Sequence, residues 1–202
     1  IKYYHNLRNR NVDLLSIEQI ENNPVPNGAS YRDTPEKIRE YIKYYYSQPA
    51  NDLQFLLLAG DDDLIPHRGF YSANEGQSDF DIPADCYYSN LNGSWDADED
   101  NVFGELQETD LMPELAVGRI CFNSISELDN IINKLHKFTE EPVMDLVETS
   151  LMVGEWLWDG PTWGGDHMDE LIGNTNLYGY QTTGFPQDWE FSKLYDRDYG
   201  YA

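Results

Sequence analysis

Positive charge is scarce in this sequence. Thirteen Lys and Arg stand against 37 Asp and Glu, a formal net charge of −24 at pH 7. Such an excess repels phosphate backbones and anionic headgroups over a Debye length of about 8 Å at physiological salt, which argues against nucleic acid and membrane surfaces as partners. Self-repulsion on this scale is tolerated where cations or a salty medium screen it, which points to an extracellular or cell-surface setting. Cysteine is nearly absent. Cys86 and Cys121 are the whole complement, without C-x-x-C spacing and too few for a metal cluster by themselves; one disulfide or two free thiols both remain open. No apolar run approaches the roughly 18 residues of a membrane helix, which argues against membrane insertion, and the first residues have neither the basic start nor the apolar middle of a signal peptide. Neither G-x-S-x-G nor H-E-x-x-H occurs, which removes the serine-hydrolase and zinc-peptidase readings that rest on them. What is present suffices for a packed core: 40% of the 202 residues are hydrophobic and 14% aromatic.

The most informative stretch is L-N-G-S-W-D-A-D-E-D-N-V-F-G-E, residues 91–105. Asp96, Asp98 and Asp100 alternate, and Gly104-Glu105 closes the run. Alternating carboxylates in a turning segment point into one small volume, where their repulsion is costly unless a divalent ion neutralises it. Calcium suits such a site because it accepts an irregular shell of oxygens, here from the three aspartates, a backbone carbonyl near Val102, the Glu105 side chain and water. The alternative is a solvated acidic loop; the fixed spacing, the glycine and the terminal glutamate favour the ion. The spacing departs from the EF-hand, so a loop site is expected and not a helix-loop-helix pair. Asn92-Gly93-Ser94 also fits the N-glycosylation pattern, a tripeptide common by chance.

Along the chain, residues 11–17 read as a first strand, followed by a Pro- and Gly-broken loop. Thr34 is expected to cap a helix with Pro35 at its first position and Ile38, Tyr41, Ile42 and Tyr45 on one face. The run L-Q-F-L-L-L-A, residues 53–59, reads as a parallel strand buried on both sides. Gly60-Asp61-Asp62-Asp63 beyond it is either a capped acidic turn or a second polar site at a strand's carboxyl end. Cys86-Tyr87-Tyr88 and residues 115–121 read as strands flanking the Asp-rich loop. Ser126 is expected to cap a helix with Leu128, Ile131, Ile132 and Leu135 as its stripe, ending before Pro142. Residues 150–155 read as another strand, 156–165 as a Trp- and Gly-rich loop, Met168, Leu171 and Ile172 as a short helix, and 191–195 as a last strand. Alternating strands and helices predict a three-layer α/β sheet with flanking helices, in two units in series: an N-terminal subdomain at 1–142 carrying the calcium loop, and an incomplete second subdomain at 143–202.

Several segments together resemble the gingipain-type cysteine peptidases, a family related in fold to caspases: L-L-L-A-G-D-D-D-L-I-P, D-C-Y-Y-S-N-L-N-G-S-W-D, P-E-L-A-V-G-R-I with S-E-L-D-N-I-I-N-K-L, M-V-G-E, G-G-D-H-M-D-E-L-I-G and K-L-Y-D-R-D, in that order. The resemblance implies the front part of a secreted or cell-surface cysteine endopeptidase. Its catalytic histidine and cysteine would lie beyond the match to K-L-Y-D-R-D, and this chain alone would be inactive. His5, His67, His136, His167, Cys86 and Cys121 do not sit in the family's catalytic contexts and are expected to be structural. Glu155 matches the place of a carboxylate that orients the catalytic histidine, with a strand-end cap as the alternative. Asp166 matches the acid of a pocket for arginine or lysine side chains, with helix capping beside Gly165 as the alternative. The implied partners are a protein or peptide substrate and the remainder of the catalytic domain, in the same parent chain or a cleaved partner chain. The rival from another class is a non-catalytic calcium-stiffened surface module with a peptidase-like fold.

Overall fold

The computed structural model describes residues 11–25, 28–74, 76–109, 111–158, 162–177 and 180–199, and the chain divides into two compact units, Ile1–Asn133 and Lys134–Ala202. Helices and strands alternate in both, as the α/β class requires. His5 lies outside the described residues.

The first unit opens on helix α1 (Ile17–Asn22) instead of the expected strand. Ser16 Oγ accepts the Gln19 N–H at 3.1 Å while Gln19 Oε1 accepts the Ser16 N–H at 2.9 Å, a reciprocal capping box that satisfies two end donors and outweighs the β-propensity of residues 11–17. Helix α2 (Thr34–Tyr46) is capped one residue earlier than expected, by Asp33 Oδ1 on the Glu36 N–H at 2.9 Å, and buries Ile38, Tyr41 and Ile42. Tyr41 Oη donates to the Pro24 carbonyl at 2.7 Å and Lys37 Nζ to the Glu21 carbonyl at 2.9 Å, which fastens α1 to this face.

Strand β1 (Phe55–Ala59) pairs in parallel, from Phe55↔Ala116 to Ala59↔Ile120, with the strand that the order below makes β4. Its burial is one-sided: Leu58 is buried while Phe55 and Leu57 are exposed, because the sheet has two strands and one covered face among the described residues. Parallel neighbours need a long crossover. This one contains the hairpin of β2 (Gly69–Asn74) and β3 (Gln77–Pro83), a 3-10 turn at Asp85–Tyr88 and the Asp-rich loop, before β4 (Ala116–Ile120). Cys86-Tyr87-Tyr88 is therefore helical and not a strand: the Tyr87 N–H returns to the Ala84 carbonyl at 3.3 Å and Ser89 to Cys86 at 3.1 Å. That turn sinks Tyr87 and Tyr88 into a core with Ile38, Ile42, Leu58, Leu91, Trp95 and Leu115.

Arg119 on β4 joins these pieces. Its Nε and one terminal nitrogen take both oxygens of Asp85 at 2.8 and 2.7 Å, and its other terminal nitrogen takes the Gly60 and Ile65 carbonyls at 2.9 and 2.7 Å. Helix α3 (Ile125–Glu140) starts two residues earlier than a Ser126 cap requires; Ser124 Oγ accepts the Glu127 N–H at 3.3 Å.

In the second unit a short helix α4 (Met144–Val147) precedes β5 (Thr149–Gly154), which pairs in parallel with β10 (Glu190–Tyr195), Thr149↔Glu190 through Gly154↔Tyr195. Between them lie helix α5 (Gly164–Asp169) and two hairpins, β6 (Trp156–Trp158) with β7 (Thr162–Trp163), inside the expected Trp- and Gly-rich loop, and β8 (Asn174–Leu177) with β9 (Tyr180–Thr183). Helix α6 (Asp196–Tyr199) follows β10. The α5 start is pressed onto β5: a Cβ on Gly154 would stand 2.2 Å from Gly165 N, and one on Gly165 2.6 Å from Cγ of the buried Tyr195. Only glycine permits that approach.

Candidate metal centre

The Asp-rich loop hangs between the 3-10 turn and β4 and is anchored by Trp95. The indole is buried, donates from Nε1 to Asn90 Oδ1 at 3.0 Å and meets Tyr87 edge-on at 5.3 Å. Beyond it the backbone folds onto its own carboxylates, each taking an N–H two or more residues on: Asp96 Oδ2 from Asn101 at 3.2 Å, Asp98 Oδ1 from Asp100 at 3.3 Å and Asp100 Oδ1 from Val102 at 2.8 Å. These turns use left-handed backbone at Glu99 and Asn101, with φ of 64° and 69°. Gly104, at φ 81°, donates to the Trp95 carbonyl at 2.7 Å, and a Cβ there would stand 2.4 Å from the Phe70 ring.

Two overlapping triads of carboxylates result. Oxygens of Asp98, Asp100 and Glu105 lie within 4.8 Å of one another, and so do oxygens of Asp96, Asp98 and Glu108. Four of the expected ligands are thus brought into the cluster, but Asp96 and Glu105 sit in different triads. Val102 contributes its N–H to Asp100. Glu108 was not foreseen; its Oε1 accepts the Ala97 N–H at 2.8 Å and so bends the loop back on itself. The only sequence signal was one more acidic residue past Glu105.

The second triad contains the one buried carboxylate, Asp96. Asp96 is 3% exposed, its Oδ2 takes the Arg32 guanidinium, and its Oδ1 is buried with no hydrogen-bond partner among the described residues. Glu108 Oε2 is likewise buried and unpartnered. Desolvation pushes the Asp96 carboxyl up, but the Arg32 hydrogen bond and charge, with the N–H groups of Asn101 and Asp100, outweigh it and hold the group below the usual carboxylate range. Desolvation, then the charges of Asp100, Glu108, Asp98 and Asp96, push the Glu105 carboxyl up. A hard cation relieves both conditions, the orphaned oxygens and the crowding of like charge, so the donor set fits calcium.

Arg32 lies over the Phe103 ring at 5.0 Å, and Arg68 shares that ring at 3.8 Å while binding both oxygens of Asp33 at 2.8 and 2.6 Å. Arg39 stacks on Tyr87 at 4.9 Å and donates to the Asn90 carbonyl at 3.1 and 2.6 Å. Three of the few cations thus wall the loop's base.

The remaining expected residues stand apart from this loop in sequence and in role. At the end of β1, the Asp61 carbonyl accepts the Leu64 and Ile65 N–H groups at 2.9 Å, and Asp62 takes His67, so Gly60-Asp61-Asp62-Asp63 is a capped turn. Cys86 and Cys121 are both free thiols. Burial pushes the Cys86 thiol up, the reverse of an activated nucleophile. His167 faces Glu170 at 3.6 Å on an exposed surface, and His136 is exposed on α3. Glu155 has an exposed side chain, and its carbonyl accepts the Gly164 N–H at 2.8 Å. Asp166, in the first turn of α5, pairs with Arg197 of α6, whose other terminal nitrogen takes Asp169 at 2.5 Å. No helix among the described residues is long and apolar enough to cross a membrane.

A family model described as peptidase family C25 matches residues 1–202. Among solved structures, one described as the Arg-specific cysteine proteinase gingipain R (RgpB) is 19% identical, with a TM-score of 0.46, covering 67% of this chain and 27% of that one. A second, described as a complex of the Porphyromonas gingivalis RgpB pro- and mature domains, is 18% identical, with a TM-score of 0.45, covering 67% and 28%. The chain thus spans less than a third of either solved chain. No curated protein matches it.

Proposed function

The chain belongs to peptidase family C25, and from that premise we propose that it is the N-terminal region of a secreted or cell-surface cysteine endopeptidase whose fold is tightened by calcium in the Asp96–Glu108 loop. The match over residues 1–202 carries this reading. The parent's reaction is acyl transfer: a thiolate attacks the peptide carbonyl, a histidine moves protons, and backbone amides stabilise the oxyanion. The reacting thiol and imidazole are supplied from outside these residues, a reading supported by the raised Cys86 thiol and by the engagement of His67 with Asp62 and Asp81.

This chain contributes scaffold and supporting groups. Glu155, at the carboxyl end of β5, orients the catalytic imidazole, and Asp166 recognises a basic side chain at the cleaved bond. Asp166 pairs with the Arg197 guanidinium, a contact that the substrate's basic side chain displaces in this reading. Calcium, when bound, supplies charge neutralisation and loop stiffness and takes no part in the bond-breaking. The substrate is a protein or peptide with Arg or Lys before the cut.

Labelling of the intact parent with an electrophilic arginyl peptide tests this directly. Modification of a cysteine other than Cys86 and Cys121 is the expected result. Modification of Cys86 or Cys121 overturns the placement of the reacting thiol outside these residues, and modification of no cysteine leaves a non-catalytic calcium module.

A further inference from the structure

Asp96 and Glu108 share an arrangement found at no other carboxylate of the loop. Each commits one oxygen to the protein, Asp96 Oδ2 to Arg32 and the Asn101 N–H, Glu108 Oε1 to the Ala97 N–H. Each leaves the other oxygen buried and unpartnered. A buried carboxylate oxygen without a donor is costly, and Asp96, Asp98 and Glu108 hold oxygens within 4.8 Å of one another, so the two orphaned groups call for a common positive partner. The Asp98–Asp100–Glu105 triad holds no orphaned buried oxygen among the described residues, and its Asp100 is open to solvent where Asp96 is not.

We propose that Glu108, and not Glu105, closes the cation shell, its Oε2 converging with Asp96 Oδ1 and an Asp98 oxygen on one hard divalent ion. Counting Asp96 as the first position, Asp98, Asp100 and Val102 are third, fifth and seventh and Glu108 is thirteenth, one place beyond the closing glutamate of an EF-hand loop. The left-handed residues at Asn101 and Gly104 and a further one at Gln107, φ 79°, take up that extra length. Arg32 then holds Asp96 from behind and fixes which oxygen faces the ion. Glu105 groups instead with Asp98 and Asp100.

The assignment rests on the loop binding a cation at all, and the test separates the two. Trp95 adjoins Asp96 in the chain and is buried, which makes it a sensitiser for terbium luminescence. The full 202-residue chain is titrated with terbium and the ion is displaced with calcium, for the parent sequence and for E108Q and E105Q. E108Q is expected to weaken calcium roughly tenfold or more and E105Q by less than about threefold. Saturable binding with a loss on E105Q equal to or larger than that on E108Q overturns Glu108 as the closing ligand and leaves the calcium loop standing. No saturable binding by the parent sequence overturns both. If E108Q loses the folded near-ultraviolet signal of Trp95, E108D replaces it: the shortened side chain still weakens calcium about tenfold, and parent-like affinity overturns the assignment.

Discussion

At the scale of single residues, the chain spends its few cations on specific carboxylates. Arg32 meets Asp96, Arg68 meets Asp33, Arg119 meets Asp85 and Arg197 meets Asp166 and Asp169. His67 is the same device with a proton that can leave. Its Nδ1 faces Asp62 Oδ1 at 2.5 Å and its Nε2 faces Asp81 Oδ1 at 3.1 Å, so both ring nitrogens need a hydrogen. Desolvation pulls its pKa down, but Asp62 and Asp81 outweigh this and raise it. A raised folded-state value means the contribution is whole below the unfolded pKa of about 6.5 and is lost as pH climbs through the folded value. The clamp is partly exposed, so its worth is below about 1 kcal/mol. Melting temperatures measured from pH 5.5 to 8.5 should therefore fall more for the parent sequence than for H67N, with the gap closing at the alkaline end; parallel curves contradict the clamp. The alternating aspartates were legible; their spacing brings Asp98 near each of the other two in turn, but Asp96 and Asp100 fall in different triads. Glu108 was not legible, since it joins them only after the backbone reverses through three left-handed residues.

At the scale of elements, apolar runs were the readable part. Residues 53–59 and 150–155 became β1 and β5, and the helical stripe from Ile38 became α2. Polar geometry decided the rest. Ser16 and Gln19 turned a strand-like run into α1, and carbonyl returns within Ala84–Ser89 turned an aromatic, strand-prone triplet into a 3-10 turn. The packing of α5 on β5 depends on something sequence patterns hide, the absence of side chains at Gly154, Gly164 and Gly165. Replacing Gly165 by Ala sets a methyl against the Tyr195 ring and should cost about 1–3 kcal/mol in urea unfolding. The Tyr195 hydroxyl, whose pKa burial and Asp169 push up to about 12, should become easier to ionise as the ring is displaced. An unchanged unfolding midpoint would contradict the close packing.

At the scale of the whole molecule, the balance of charge is the ground for the proposed cation. With a formal charge of −24 the folded chain works against its own repulsion, and the Asp96–Glu108 loop concentrates that repulsion in one turn. A ligand that binds the folded chain and not the unfolded one stabilises it by mass action, about 2.7 kcal/mol at a hundredfold excess over Kd. For a chain of this size that is a rise in melting temperature of roughly 5–10 °C. The α/β class and the family were both readable, because segments such as P-E-L-A-V-G-R-I kept their order; the hairpins β6–β7 and β8–β9 were not, since their strands are short and their pairing is local. Thermal unfolding of the 202-residue chain at constant ionic strength decides whether the proposed divalent ion locks this scaffold. Calcium in excess should raise the melting temperature by that amount, EDTA should reverse it and magnesium should do much less. A melting temperature that calcium and EDTA leave unmoved contradicts the account.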